Sequence, residues 1–207
     1  MAKYKAWASL TPCNLMKRAR NYHNIQFEYS KRYPELQDPN YYTTSQCLRD
    51  YERAEWPLTK QELLEFTSSL FKQARKRSIP LYVHTAYRSQ AVQKQLEREG
   101  NSTLKDGPHQ RGCAVDIVHA HYHWNAPKSF WDTMGNLGKE IIRAKGLSIE
   151  WGGDWKTLYD PAHWQIKDWR SYSKISPTAM YDKETGEAIT WKRSPFNNTP
   201  AEPRVRS

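Results

Sequence analysis

HQRGCAVDIV, residues 109–118, is the stretch on which the reading of this chain turns. A histidine and an aspartate stand seven positions apart, with Gly112, Cys113 and Ala114 between them. The aspartate sits inside an apolar run, Ala114-Val115-Asp116-Ile117-Val118, which reads as a short buried strand. An ionised carboxylate there is costly unless it has a partner. His109 is not a dependable cation at neutral pH. A metal ion would satisfy both side chains, since imidazole nitrogen and carboxylate oxygen are ordinary zinc ligands, and Gly112 would let the chain turn so that they converge. On this pair alone, a turn histidine and a strand-edge aspartate remain the simpler reading.

A second cluster changes that balance. WGGDWKTLYDPAHWQI, residues 151–166, holds Asp160 and His163. Pro161 biases Asp160 towards an extended backbone. A fully extended chain would send residues 160 and 163 to opposite faces, so both reach one site only if Pro161-Ala162 makes a turn. His163 then supplies a third ligand, the number a catalytic zinc needs from the protein. Asp160 beside it suits the general base that takes a proton from the attacking water.

Around these clusters the chain alternates helix and strand, which makes it α+β. Thr59-Lys60-Gln61-Glu62 reads as a capping box opening a helix that buries Leu63, Leu64, Phe66, Leu70, Phe71 and Ala74. Pro80 closes it, and residues 81–87 alternate like a strand. Ser89 caps a further helix that Gly100 ends. Residues 128–146 read as a helix with Phe130, Trp131, Met134, Leu137, Ile141 and Ile142 inward and Gly146 at its end. Two short strands, 147–151 and 163–169, follow, and 180–191 suggests a hairpin with a turn at Thr185-Gly186. Helix is expected within 14–33, and a loose Pro-rich tail after the hairpin. The expected organisation is an N-terminal extension over 1–57, a core over 58–172, and the hairpin with its tail over 173–207.

Composition narrows the function class. Hydrophobic residues are only 38% of the 207, but nine Trp and 13 Tyr supply enough bulk for a compact core. No window approaches the roughly 18 apolar residues of a membrane span. The first twenty residues hold no apolar segment of the secretory kind, so the expected place of synthesis is a cytoplasm, with release by some other agent. Three cysteines, Cys13, Cys47 and Cys113, contain no CxxC pair and cannot build a disulfide framework; small buried residues are the favoured reading over a nucleophile. A net charge of +10 favours an anionic partner, whether nucleic acid, acidic membrane or cell-wall polymer.

The motifs also carry a resemblance. HQRGCAVD matches the His-x-x-Gly-x-Ala-x-Asp motif of the VanY and D-alanyl-D-alanine-type zinc metallopeptidases, DPAHW matches their Asp/Glu-x-x-His motif, and YRSQAVQ (87–93) matches their Tyr-Arg-Ser-x-x-x-Gln motif. All three stand in the family's order, within roughly residues 60–170. WGGDWKTLYDPAHWQ most resembles the L-alanyl-D-glutamate endopeptidase branch, which includes many phage endolysins. The resemblance implies a small antiparallel sheet with flanking helices, of the hedgehog and D-Ala-D-Ala peptidase kind. It implies His109, Asp116 and His163 as zinc ligands, Asp160 as catalytic base, and Arg88 as the group that binds substrate or stabilises the oxyanion. Ser89, Gln93, Trp151 and Trp164 join Arg88 as expected substrate contacts. One departure is Gly107-Pro108 before His109, where the family often has Ser two residues ahead of the histidine. Peptidoglycan is the expected partner of a monomer that needs no nucleic acid and spans no membrane. The alternatives are a D-Ala-D-Ala carboxypeptidase and a non-catalytic wall- or nucleic-acid-binding relative.

Simpler readings stand beside several of these residues. Arg88 alone would pass for a surface arginine beside a helix cap. Trp151, Trp155 and Trp164 have two readings, lining a sugar or peptide groove and core packing, of which packing is the commoner. His119, His121 and His123 alternate and would share one side of a strand as a second metal site, but a solvated loop is favoured. His84 reads as a strand histidine.

Overall fold

A computed structural model describes residues 33–54, 56–100 and 106–175. Cys13, the helix expected within 14–33 and the hairpin expected over 180–191 lie outside the described residues. Four strands form one antiparallel sheet in the order β1-β2-β4-β3: β1 is Leu81–Thr85, β2 Ala114–His119, β3 Ile149–Trp151 and β4 His163–Ile166. Four helices flank it: α1 over Ser45–Glu52, α2 over Gln61–Arg75, α3 over Gln90–Arg98 and α4 over Lys128–Lys145. The α+β class and the small antiparallel sheet expected from the resemblance are therefore present.

Strand alternation gives the sheet two chemically different faces. Register sets Asp116 opposite His163, Ala114 opposite Gln165, and Gln165 opposite Glu150. Directly opposed residues share a face, so Asp116, His163, Gln165 and Glu150 stand together on one side. The other side carries Val115, Trp151 and Trp164, all buried. There Phe66 of α2 meets the Trp164 ring at 4.7 Å, and Trp151 stacks on Trp164 at 5.6 Å. Gly138 of α4 lies so close that a Cβ there would sit 2.1 Å from the Trp164 ring. The helix approaches only because it presents hydrogen at that point.

The start of α2 departs from the expected capping box. The N-cap is Lys60, with no side-chain cap. Its backbone N–H donates to Gly112 O at 2.8 Å, which draws residue 60 out of the helix. Glu62 does not reach back; its carboxylate accepts the backbone N–H of Ser148, ahead of β3. A tertiary contact has taken the Glu62 half of the local motif. Elsewhere local signals hold: Ser89 Oγ accepts Val92 N–H to cap α3, and Gly146 ends α4 in the left-handed region at φ +64°.

Part of the expected N-terminal extension is described, and it is built into the core. Leu36, Tyr41, Cys47, Ala54 and Trp56 belong to the same buried cluster as Phe66, Val83 and Trp164. Tyr41, Cys47 and Trp56 meet Phe71, Leu81 and Val83 beside β1. Residues 33–54 and Trp56 thus cover the β1 edge of the sheet, an edge that would otherwise expose unpaired backbone groups.

Candidate active site

The segment before β2 explains the spacing of its motif. Pro108–Arg111 form a 3-10 turn that Gly112 ends at φ +63°. Gly112 N–H donates to His109 O at 3.1 Å and Cys113 N–H to Pro108 O at 2.9 Å. A Cβ on Gly112 would lie 1.8 Å from Leu58 O, so glycine is required there for space as well as for the backbone angle. This turn swings His109 back over the face that carries Asp116. At the second cluster, His163 N–H donates to Asp160 O at 3.1 Å and closes the turn through Pro161-Ala162. The turn that the sequence required is present.

The polar face of the sheet thereby gathers His109, Asp116 and His163, with one ligand atom from each lying within 4.8 Å of the others. His109 Nε2 lies 3.3 Å from Asp116 Oδ2, and His163 Nδ1 lies 2.9 Å from Asp116 Oδ1. The outward nitrogens are already committed. His109 Nδ1 donates to Ala86 O at 2.7 Å. His163 Nε2 lies 2.9 Å from Gln165 Oε1, and Gln165 Nε2 donates to the Glu150 carboxylate. Because a carboxylate only accepts, Gln165 must turn its NH2 to Glu150 and its oxygen to His163, so Nε2 carries the proton. In the neutral imidazoles both remaining lone pairs then point at the Asp116 carboxylate. Acceptors so arranged repel one another unless a proton or a cation lies among them. The three residues fit a divalent metal, and the hydrogen bonds behind them are of the kind that orient metal-ligating histidines.

Electrostatics agree. Burial would raise the Asp116 carboxyl, but His109 and His163 outweigh it and hold the group well below the usual carboxylate range. Burial would lower His163, yet its hydrogen bond and charge pairing with Asp116 move it upward. His163 therefore holds its proton more tightly than a free imidazole does, and a bound cation would displace it. Asp160 is pushed up, first by burial, with Asp116 adding to it while His163 opposes.

These residues form the floor of a cleft of about 430 Å³, lined also by Arg88, Gln93, Gln110, Trp124, Trp155 and Leu158. Arg88 NH2 lies 3.5 Å from Asp116 Oδ2. Three of the expected substrate contacts lie outside the cleft lining. Trp164 and Trp151 are core residues, 1% and 7% exposed, because alternation sends the strand neighbours of His163 and Glu150 to the helix-covered face. The Ser89 hydroxyl caps α3, and Ser89 does not line the cleft. Gln93 lines it, but is 2% exposed and bonded to Arg88.

Two aromatic residues line the cleft besides the expected contacts: Trp155, which the sequence leaves between groove and core, and Trp124, which it does not single out. Trp155 has its ring 5.2 Å from that of His163. Trp124 is 47% exposed and stands edge-on to His84 at 4.3 Å. An indole in the polar stretch HYHWN was the available signal for it. Gln110, Gln165 and Glu150 were not singled out either. Gln165 was marked in the sequence by being an amide within the strand HWQI, in phase with His163. His84 lies in β1 as expected. Cys113 is fully buried, and burial pushes its thiol up to about 11, so it is a packing residue.

The convergent donor set defines a candidate metal site on the floor of the cleft. The family model described as D-alanyl-D-alanine carboxypeptidase matches residues 101–166, a segment that contains His109, Asp116, Asp160 and His163. Over that segment the chain is similar to this peptidase family. The described fold is similar to that of the L-Ala D-Glu endopeptidase ChiX of Serratia marcescens, with a TM-score of 0.50 and 23% identity, over 63% of this chain and 92% of that one.

Proposed function

We propose that the protein is a zinc-dependent peptidoglycan hydrolase that cuts the stem peptide between L-Ala and D-Glu. The observation that carries this reading is the convergence of two imidazole lone pairs and the Asp116 carboxylate on the floor of a cleft, with Asp160 and Arg88 beside them. His109, Asp116 and His163 would hold the metal, and two histidines with one carboxylate are a usual donor set for catalytic zinc. When bound, such a metal supplies Lewis-acid polarisation of the scissile carbonyl and a lowered pKa for the attacking water, about 7 in well-studied cases.

The protein's own groups do the rest. Asp160 takes one proton from the attacking water and delivers it to the leaving nitrogen. Its elevated pKa suits a group that must hold that proton between the two transfers. Arg88 receives the D-Glu α-carboxylate, since the guanidinium fork matches a carboxylate and stays charged. The products are an L-Ala carboxylate left on the sugar side and a D-Glu amino terminus. The net charge of +10 draws the enzyme to anionic wall polymer.

Two features support the endopeptidase bond: the resemblance carried by WGGDWKTLYDPAHWQ, and the likeness of fold to an L-Ala D-Glu endopeptidase. The family model's description favours a second reading, a D-Ala-D-Ala carboxypeptidase, in which the same arginine would hold the terminal carboxylate. Digestion of purified wall, with metal analysis of the enzyme and sequencing of the new amino termini, separates them. New D-Glu termini with one zinc per chain are expected. Free D-Ala without them would overturn the choice of bond. An intact wall, together with a salt-sensitive DNA shift, would mean a binding protein instead. A phage endolysin set free by a separate membrane pore is the biological setting we propose. Expression with and without such a pore tests it, with lysis expected only when the pore is present.

A further inference from the structure

Arg88 is held from two sides. Its NH2 faces Asp116, while its NH1 donates to Gln93 Oε1 at 3.2 Å. The same Gln93 oxygen accepts Gln110 Nε2 at 3.0 Å. Gln110 Oε1 in turn accepts the backbone N–H of Gly107 at 2.6 Å. Gln93 and Gln110 are 2% and 1% exposed.

The polarity of this chain of bonds is forced from one end. A backbone N–H can only donate, so Gln110 turns its oxygen to Gly107 and its NH2 to Gln93. Gln93 must then present its oxygen, and that leaves an acceptor facing a guanidinium, which has none of its own. Reversing either amide would set donor against donor. The relay also starts next to the turn that carries His109, and Arg88 N–H donates to His109 O at 3.2 Å. Guanidinium and first metal ligand are thus tied to one short segment. Long amide side chains lose rotamer freedom on burial and need partners once there, so a pair fully partnered in a cleft wall calls for a role beyond filling space.

We propose that Gln110 and Gln93 are positioning residues for Arg88. They set where its fork stands relative to the scissile bond, and neither one contacts substrate. The proposal rests on the reading of Arg88 as the carboxylate-binding group. It moves Gln93 out of the substrate contacts and gives Gln110 a role that its place in the motif does not announce.

A double-mutant cycle tests it with kcat/KM for release of new amino termini from solubilised wall peptide, alongside metal content and thermal unfolding for every variant. Gln110→Met and Gln93→Met should each lower kcat/KM on the order of tenfold with full metal content, because small misplacement of a positioning group is costly. In an Arg88→Ala background the same changes should have less than about a twofold further effect. Losses that multiply undiminished on top of Arg88→Ala would show that the amides act independently of the arginine, and would overturn the relay. Should Gln93→Met fail to fold, Gln110→Met carries the same cycle, since it leaves the arginine's own acceptor in place. An Arg88→Ala variant as active as the unaltered chain would overturn the role of the arginine and the relay with it. Loss of the D-Glu termini from the unaltered chain's products would instead overturn only the choice of bond.

Discussion

β2 has an imidazole cluster at each end, and the two spend their nitrogens differently. At one end His109 and His163 each commit one ring nitrogen to a neutral oxygen behind them and leave the other aimed at Asp116. At the other end His119 is fully buried, with Nε2 on Leu36 O at 3.2 Å and Nδ1 accepting the backbone N–H groups of His121 and Tyr122. His121 pairs with Asp38 at 2.9 Å, and His123 Nδ1 meets the Tyr82 hydroxyl at 2.8 Å. The histidines of the second cluster are spread over separate partners. Among the described residues only the first cluster brings three donor atoms together. Histidine count does not make a metal site; lone pairs left over after local hydrogen bonding do.

The largest expected effect breaks this contrast directly. His109→Ala or His163→Ala should abolish stoichiometric metal binding and lower activity by more than about 100-fold, since a site of three ligands does not survive the loss of one. His121→Ala and His123→Ala should leave both within about twofold, as exposed substitutions do. Metal analysis and wall digestion on the four proteins check this, and loss of metal from His121→Ala would erase the distinction.

Asp160→Ala comes next. It removes no donor of the cluster, so metal content and fold should persist while turnover falls on the order of 100-fold or more. Near-normal turnover at limiting substrate would assign the proton transfer to another group.

Behind the ligands the effect should be smaller. Gln165→Leu removes the acceptor that holds His163 in its metal-ready form, and metal affinity should drop roughly 10–100-fold. A competition titration with a chelator measures it. An unchanged affinity would mean that Asp116 alone orients the ring.

The smallest effect belongs to the structural cluster and is one of stability. Burial, ahead of other causes, lowers His119 from 6.5 to about 4. The unfolded chain then binds the proton more readily, so this group's contribution is whole above about pH 6.5 and is lost as pH falls towards 4. His119→Phe should cost roughly 1–3 kcal/mol at pH 7 by leaving two backbone N–H groups and a carbonyl unpartnered. The variant's stability should also fall less steeply with acid than that of the unaltered chain. Denaturant unfolding of the metal-free proteins between pH 7 and 4.5 compares the two slopes, and parallel curves would remove His119 from the account.

Legibility followed how local each signal was. The strand around Asp116, the Ser89 cap and the helix ending at Gly146 were visible because each rests on adjacent residues. The Asp160–His163 turn was visible too, since Pro161 and strand alternation permit no other way for both to reach one site. The Glu62 half of the capping box at Thr59 failed because Ser148 N–H, distant in sequence, took its carboxylate, while Gly112 O drew Lys60 out to the N-cap. Of the two readings of Trp151 and Trp164, core packing holds rather than substrate contact; alternation beside His163 already favours it for Trp164, whereas only the pairing of β3 with β4 decides it for Trp151. The packing of residues 33–54 and Trp56 against β1 could not be read in advance, because an irregular aromatic stretch has no periodicity to mark the surface it will cover.

By itself the sequence determined the donor set, two histidines and an aspartate, and the turns at Gly112 and Pro161 that let them meet. Those follow from short-range rules of chain geometry and residue chemistry. Tertiary structure alone decided which nitrogen of each imidazole faces Asp116, and that Gln110 and Gln93 point their polarity at Arg88. These depend on single hydrogen bonds to Ala86, Gln165 and Gly107. A hydrogen bond has direction, and direction exists only once the partners have been brought together in space.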